Sequence, residues 1–403
     1  MKNKFLFLGI AAAIFIGCES DDTSDIVIND NSIVNNTTNN TTGDGTTDPD
    51  VTAVNLSGVY TEDLTLDPTI EYTVTGPVLM ASGTTLTIPA GMTVRAQPVG
   101  VNAYIAIQQG AQINAVGTAS EPIVLTSNAS SPSSGDWGGL VICGRAPINS
   151  TADGSTDTAT SEVGGLSYGG NTPADNSGNI QYMRIEYAGG AIDGNAELNG
   201  LSAYAVGNGT TMDFIQIYEG SDDGFEFFGG TVNASHLVVV NSEDDSIDWT
   251  EGYIGNLTDV YVQHGSSHDK AFECDGYNTD FSNEGGYFSA PNVTNVTVVG
   301  DGEDDSDEAI RLRAGTQVIF TNVLISNYAE GFDLDGDMGD NPTGQGVLDD
   351  LLNIIDVTFD NVTTTLKNDT GFTFDEADVI SGVGNGTGTD IATWGAGWTV
   401  GIN

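Results

Sequence analysis

Asp222-Asp223-Gly224-Phe225-Glu226, Asp244-Asp245-Ser246-Ile247-Asp248, Asp269-Lys270-Ala271-Phe272-Glu273, Asp307-Glu308-Ala309-Ile310-Arg311 and Ala329-Glu330-Gly331-Phe332-Asp333 are five copies of one pattern. Polar or acidic positions lead to a small residue, a large apolar residue and a charge. Phe225 and Ile247 stand 22 residues apart, as do Ile310 and Phe332. A unit repeated at that interval is stacked, and stacking turns each column into a ladder of side chains. Successive strand residues face opposite ways, so Phe225, Ile247, Phe272, Ile310 and Phe332 point inward. Glu226, Asp248, Glu273, Arg311 and Asp333 then form an outward column, and Phe228, Thr250, Asp275, Arg313 and Asp335 a second one two residues on.

Outside these copies the chain shows short apolar alternations separated by glycine and polar turns, with no helical period. The pairs Ile215/Ile217, Leu237/Val239, Val260/Val262, Val296/Val298, Val323/Ile325 and Val357/Phe359 are expected to form one wall of the same object. Nearer the start, Leu86 and Ile105, Gly91 and Gly110, and Val94 and Ile113 each keep a 19-residue spacing, which predicts successive coils there as well. Coils of about 20 residues with several short strands each indicate a parallel β-solenoid. A propeller would need a period about twice as long. Over roughly residues 52–359 the sequence resembles right-handed parallel β-helix proteins of the pectate-lyase-like kind, and Thr84-Thr85-Leu86-Thr87-Ile88-Pro89-Ala90-Gly91-Met92-Thr93-Val94 has the look of their first coils. Residues 150–177, poor in apolar side chains, read as one long loop, and residues 274–286 as a second insertion. Loops of this kind commonly build binding grooves.

The composition narrows the partners. Lys and Arg number 9 against 57 Asp and Glu in 403 residues, a net charge of −48. Nucleic acid is excluded as a partner, because phosphate backbones are bound by releasing counterions around basic side chains. Divalent cations are the natural guests of such a surface.

Residues 1–17 carry Lys2 and Lys4, an apolar run and Gly17 before Cys18, the layout of a signal peptide too short to span a bilayer. Phe15-Ile16-Gly17-Cys18 resembles a bacterial lipobox, which implies acylation of Cys18 and a lipid anchor in the outer membrane. Glu19-Ser20-Asp21-Asp22 resembles the export signal of surface lipoproteins in the Bacteroidetes and implies exposure to the cell exterior. Residues 18–50 are Asn, Thr, Asp and Gly with little to bury, a tether reaching roughly 30 Å. Residues 51–403 are expected to form the β-helix with a C-terminal cap. Of the remaining cysteines, Cys274 falls in the column of Phe227, Trp249, Leu312 and Leu334 and reads as a small core residue.

Stacked like charges raise one another's pKa or attract a hard cation with oxygen ligands. Glu226 and Asp248, with Asp222 and Asp244 in the turns before them, have no basic neighbour in their columns and are candidate calcium ligands. Asp333, Asp335 and Asp337 form an acidic run that suggests a second calcium loop, although Met338 stands where an EF-hand requires glycine. Arg311 is expected between Glu273 and Asp333, Arg313 between Asp275 and Asp335, and Lys270 in a column with Asp223, Asp245 and Glu308. The aromatic residues Tyr277, Phe281, Tyr287 and Phe288 of the second insertion could stack on sugar rings or pin their loop.

Three functions fit these features. The first is a non-catalytic surface protein binding a glycan or an outer-membrane β-barrel partner, with calcium neutralising the acids. The second is a calcium-dependent polysaccharide lyase using Lys270, Arg311 and Arg313, although a lysine among carboxylates has its charged form favoured and makes a poor base. The third is a structural subunit of an outer-membrane complex. Asn278-Thr279-Asp280, Asp304-Asp305 and Arg311-Leu312-Arg313 follow the motif order of polygalacturonase-like hydrolases, but the glycine-histidine-glycine element expected between the last two is missing.

Overall fold

The computed structural model describes residues 52–193, 196–302, 308–336 and 342–402. The expected signal peptide, the Cys18 anchor, the tether and Asp337 lie outside the described residues. What is described is a right-handed parallel β-helix whose main strands join in one sheet of 22 strands. Each middle coil has three walls. Two of them come from a single eight-residue strand bent at a corner, as in Thr211–Tyr218, Asn233–Val240, Asn256–Gln263 and Asn292–Val299. The third comes from Leu201–Tyr204, Phe225–Phe228, Ile247–Thr250, Phe272–Asp275 and Glu308–Arg313, and from the far end of Ile319–Leu334.

The five sequence copies are the rungs of that third wall, in the expected register. Leu201, Phe225, Ile247, Phe272, Ile310 and Phe332 pair in one line, and each is at most 1% exposed. Burying side chains of this size stabilises the fold by about 1.5–3 kcal/mol each. Trp249 and Cys274 are fully buried beside them, and Cys143 and Cys274 are both free thiols. The expected second wall is equally exact: Ile215, Leu237, Val260, Val296, Val323 and Val357 pair in order, as do Ile217, Val239, Val262, Val298, Ile325 and Phe359.

The corner between the first two walls is a ladder of left-handed residues. Tyr182, Phe214, His236, Asp259, Asn295, Asn322 and Asp356 all have φ between 49° and 60°. Asn and Asp tolerate this conformation, whereas bulky residues adopt it at a cost. Stacking offsets that cost where the column is aromatic: Tyr182 and Phe214 lie 4.2 Å apart, and Phe214 and His236 3.9 Å apart. Where it is polar, side-chain amides bridge the rungs, Asn295 donating to Asp259 at 3.1 Å and Asn322 to Asn295 at 2.9 Å.

Three sequence expectations require correction. The 19-residue spacing does not mark successive coils: Leu86 pairs with Ile113 and Leu64, Ile105 with Val78 and Leu140, and Val94 with Tyr72 and Leu125. Leu86 and Ile105 sit on different walls, so that interval measured the repeat of strand and turn within the coils. Residues 150–177 are more than a loop, because they contain the hairpin Ala159–Thr160 and Ser167–Tyr168 and bury Val163, Leu166 and Tyr168 against Tyr104, Tyr204 and Phe228. They rejoin the wall at Gly178, where any Cβ would lie 1.9 Å from the Ile113 carbonyl oxygen.

The C-terminal segment is a strap rather than a cap. From Gly384, bonded to the Val357 carbonyl, it runs back across Asn322, Thr297 and Asp259 to Gln216 and Arg184. Trp398, fully buried, packs edge-on against Tyr182 and Phe214. Asn322 is the strap's main fastening: its Oδ1 accepts from the amides of Thr387 and Gly388, and its Nδ2 donates to the Gly388 carbonyl. Asn322→Ala is expected to cost about 1–3 kcal/mol. Amide hydrogen exchange should quicken at Thr387 and Gly388 before it does in the rungs.

Candidate acidic cavity

The turns that lead into successive third-wall strands place Asp222 and Asp223, Asp244 and Asp245, and Asp269 and Lys270 above one another. Together with the outward residues Glu226, Asp248, Glu273 and Arg311 they line a cavity of about 320 Å³. Glu162 from the first insertion, and Glu197 and Asn199 from the preceding coil, complete it. The register carries Ser202, Glu226, Asp248, Glu273, Arg311, Asp333 and Lys367 in one outward line. Glu197, Asn199, Glu162 and Lys367 were missed in the sequence. Asn199-Gly200-Leu201-Ser202 is a degenerate sixth copy of the pattern and was a usable signal. Glu162, inside a loop, left none.

Several of these acids have structural work. Asp223 Oδ1 accepts the Asp245 amide at 3.1 Å, and Asp245 Oδ1 accepts the Lys270 amide at 2.7 Å, so the two carboxylates stitch rungs together. Glu226 accepts from Asn199 Nδ2 at 2.7 Å. Asp248 differs: its Oδ1 is buried and has no hydrogen-bond partner among the described residues. Asp223, Glu226 and Asp248 each offer an oxygen within 4.8 Å of the others', as do Asp222, Asp223 and Asp244, and Asp245, Asp248 and Glu273.

Burial pushes Asp222, Asp223, Glu226, Asp244, Asp245 and Asp248 upward, and repulsion from neighbouring acids adds to it. Asp222 rises to about 8 through burial, then Glu197 and Asp244. Asp223, Glu226, Asp245 and Asp248 are held well above the usual carboxylate range, burial again leading.

The other end of the wall is neutralised. Lys270 Nζ, on a side chain 4% exposed, lies 2.6 Å from Asp269, 3.4 Å from Glu273 and 3.9 Å from both Asp245 and Glu308. Burial pulls its pKa down, but Asp245, Glu273 and Asp269 outweigh it, and the net shift is upward. Arg313 bonds Asp275 and Glu273. Arg311 sits between Glu273 and Asp333 in the register, as expected, and its guanidinium bonds Glu273 and reaches on to Asp335. Asp333 is served by Lys367 instead, at 3.1 Å, and gathers with Glu308 and Glu330. The proposed run of Asp333 and Asp335 is therefore divided between two cations, and the structure does not bring it together as one ligand set.

The second insertion leans on the first. Asn149 donates to the carbonyls of Gly276 and Tyr287, and the Asn278 amide donates to Ser150 Oγ. Its aromatic residues are half-buried. Tyr277 and Phe288 meet at 6.3 Å between ring centres, Phe288 lies against Gly315, and Tyr287 lies against Gly252 with a buried hydroxyl. Tyr287 and Phe288 thus pin the loop, and none of the four lines the cavity.

Residues 58–399 match the family model described as a pectate-lyase-like β-helix domain. No curated protein sequence matches the chain. Among solved structures, the catalytic unit of a thermostable GH87 α-1,3-glucanase from Streptomyces thermodiastaticus strain HF3-3 is similar at 10% identity and a TM-score of 0.37. That match covers 81% of this chain but only 65% of the glucanase structure. A GH87 α-1,3-glucanase catalytic domain in complex with nigerose is similar at 10% identity and a TM-score of 0.30, over 80% of this chain and 64% of that one.

The ion pairs of Lys270 can be tested directly. Lys270→Met leaves Asp245 and Glu273 without their ammonium and is expected to cost about 3–5 kcal/mol at pH 7. The loss should shrink at pH 4, where Asp245, held well above the usual carboxylate range, keeps its proton, and paired urea titrations at the two pH values would measure it.

Proposed function

Because the chain belongs to the pectate-lyase-like β-helix family, we propose that it is a surface glycan-binding protein whose acidic cavity holds calcium. The observation that carries this reading is Asp248 Oδ1, a buried carboxylate oxygen left without a hydrogen-bond partner among the described residues where Asp223 and Glu226 converge. Calcium takes oxygen ligands at about 2.3–2.6 Å. The ligand atoms of Asp223, Glu226 and Asp248 lie within 4.8 Å of one another, close enough for one such ion to touch all three. Glu226 and Asp248 are the central ligands of the proposal, with Asp222 and Asp244 in the neighbouring group. The glycan contacts the ion's remaining positions and the cavity rim.

The lyase alternative lacks its base. Lys270 is held charged by its carboxylate neighbours, and Arg311 and Arg313 are held in ion pairs. A second reading, glycoside hydrolysis, is favoured by the gathering of Asp222, Asp223 and Asp244 in the cavity, where burial pushes Asp222 up to about 8. A protonated acid next to an ionised one is the pair such chemistry uses. Release of reducing ends from neutral polysaccharides, abolished by Asp222→Asn, would establish this second reading over binding alone.

The calcium reading is tested by stability against pH. A carboxyl held above its unfolded value binds its proton more tightly in the folded state, so its stabilising contribution is complete below the unfolded pKa and is lost as pH rises through the folded one. For Asp222 that window runs from its ordinary value of 3.8 to about 8. The metal-free protein is therefore expected to be more stable at pH 5 than at pH 8. Calcium at a hundred times its Kd should restore about 2.7 kcal/mol at pH 8, and Asp248→Asn should remove most of that gain. Thermal melts that ignore calcium at pH 8 would sink the proposal.

The same proposal places the protein at the outer membrane through acylated Cys18. Cys18→Ser is expected to move it from the membrane to the soluble fraction, as measured by fractionation.

A further inference from the structure

We infer that Glu251 is a latch that fastens the second insertion, residues 276–288 once Cys274 and Asp275 are counted in the third wall, to the first. Glu251 follows the strand Ile247–Thr250 at a left-handed corner, with φ 52°, and is 1% exposed. Three segments meet at its carboxylate. Tyr168, on the first insertion, donates its hydroxyl at 2.9 Å to one oxygen and 3.1 Å to the other. Asn278, on the second insertion, approaches with Nδ2 at 3.4 Å. The Glu251 carbonyl meanwhile accepts the amide of Asn149, the residue whose side chain bonds Gly276 and Tyr287.

The two insertions are not held equally. Val163, Leu166 and Tyr168 secure the first in a hydrophobic cluster of its own, with Tyr168 and Tyr204 4.8 Å apart. The second is held by the polar contacts around Asn149, Ser150 and Glu251 and by the edges of Tyr287 and Phe288. When the latch loosens, the second insertion is the part that moves.

The latch also senses protons. The groups facing Glu251 are Tyr168 and Glu162 on the first insertion, Asn278 and Tyr287 on the second, and Glu226 on the neighbouring rungs. The charged ones are acids, and Asp280 on the second insertion bears on Glu162 in turn. Ionising Glu251 therefore adds a buried charge to an acidic corner, which favours admitting water by lifting the second insertion away. Burial pushes Glu251 up to about 8 in the closed state, whereas an open, solvated Glu251 returns toward its ordinary value. The closed state thus binds the proton more tightly, and rising pH frees the second insertion.

Hydrogen exchange on the full chain tests this, corrected for the intrinsic pH dependence of amide exchange and followed in residues 277–287. In the wild type the opening equilibrium is expected to rise about tenfold or more between pH 5.5 and pH 8.5. Glu251→Gln, whose amide oxygen still accepts the Tyr168 hydroxyl, should stay closed at both values. Asn278→Ala, which removes the second insertion's direct bond to Glu251 and leaves its Asn149 and Ser150 contacts, should be more open than the wild type at both values, while residues 159–168 keep wild-type protection. The inference is overturned if Glu251→Gln keeps the wild-type pH profile, or if Asn278→Ala leaves exchange in residues 277–287 unchanged. Should Glu251→Gln fail to fold, the wild-type profile and Asn278→Ala still decide the question.

Discussion

Parallel stacking in exact register is the constraint on which the rest of this molecule depends. Rungs about 4.8 Å apart put each residue directly against its equivalents above and below, so that like meets like through the whole solenoid. For the inward column this is favourable, because Phe225, Ile247, Phe272 and Ile310 form one continuous apolar rod. For the outward column of a chain with 57 acids and 9 bases it is a problem that recurs at every rung. The corner ladder solves the analogous problem for the backbone, using stacked rings at Phe214 and His236 and amide bridges at Asn295 and Asn322.

The parts of the fold legible in the sequence were those with one wall and one interval. The six apolar pairs from Ile215/Ile217 to Val357/Phe359 aligned without error because each wall-two strand carries the same inward parity. The opening coils misled, since strand and turn units repeat within a coil as well as between coils. Leu86 and Ile105 matched in chemistry while sitting on different walls. The bent corners escaped notice altogether because their occupants range from tyrosine to aspartate. What they share is backbone conformation, which composition does not reveal.

The site was legible to the same extent. Column logic brought Glu226, Asp248, Asp222 and Asp244 together correctly, since each belongs to a rung. It placed Arg311 between Glu273 and Asp333, as the register has it, but did not show that the long side chain reaches two positions along to Asp335, and it missed Lys367, which lies 34 residues beyond Asp333 with no copy of the pattern around it. Glu162 and Glu251 could not be found by repeat at all. One lies inside an insertion, and the other acquires its role only because two insertions fold back onto it.

Along a single wall the molecule answers the same electrostatic demand in three ways. Asp223 and Asp245 spend their charge on amides of the next rung. Glu273, Asp275, Asp333 and Asp335 are matched by Arg311, Arg313 and Lys367, with Lys270 also on Glu273. Glu226 and Asp248 have neither answer in full: one oxygen of Glu226 meets Asn199, and Asp248 Oδ1 meets nothing among the described residues. A carboxylate in that position must take a proton or a cation. Because Asp223 and Asp248 each belong to two of the neighbouring acid groups, neutralising one lowers the repulsion on the next. Protons and cations therefore compete for the same set of oxygens, and the cavity's charge state is a property of the group rather than of any one residue.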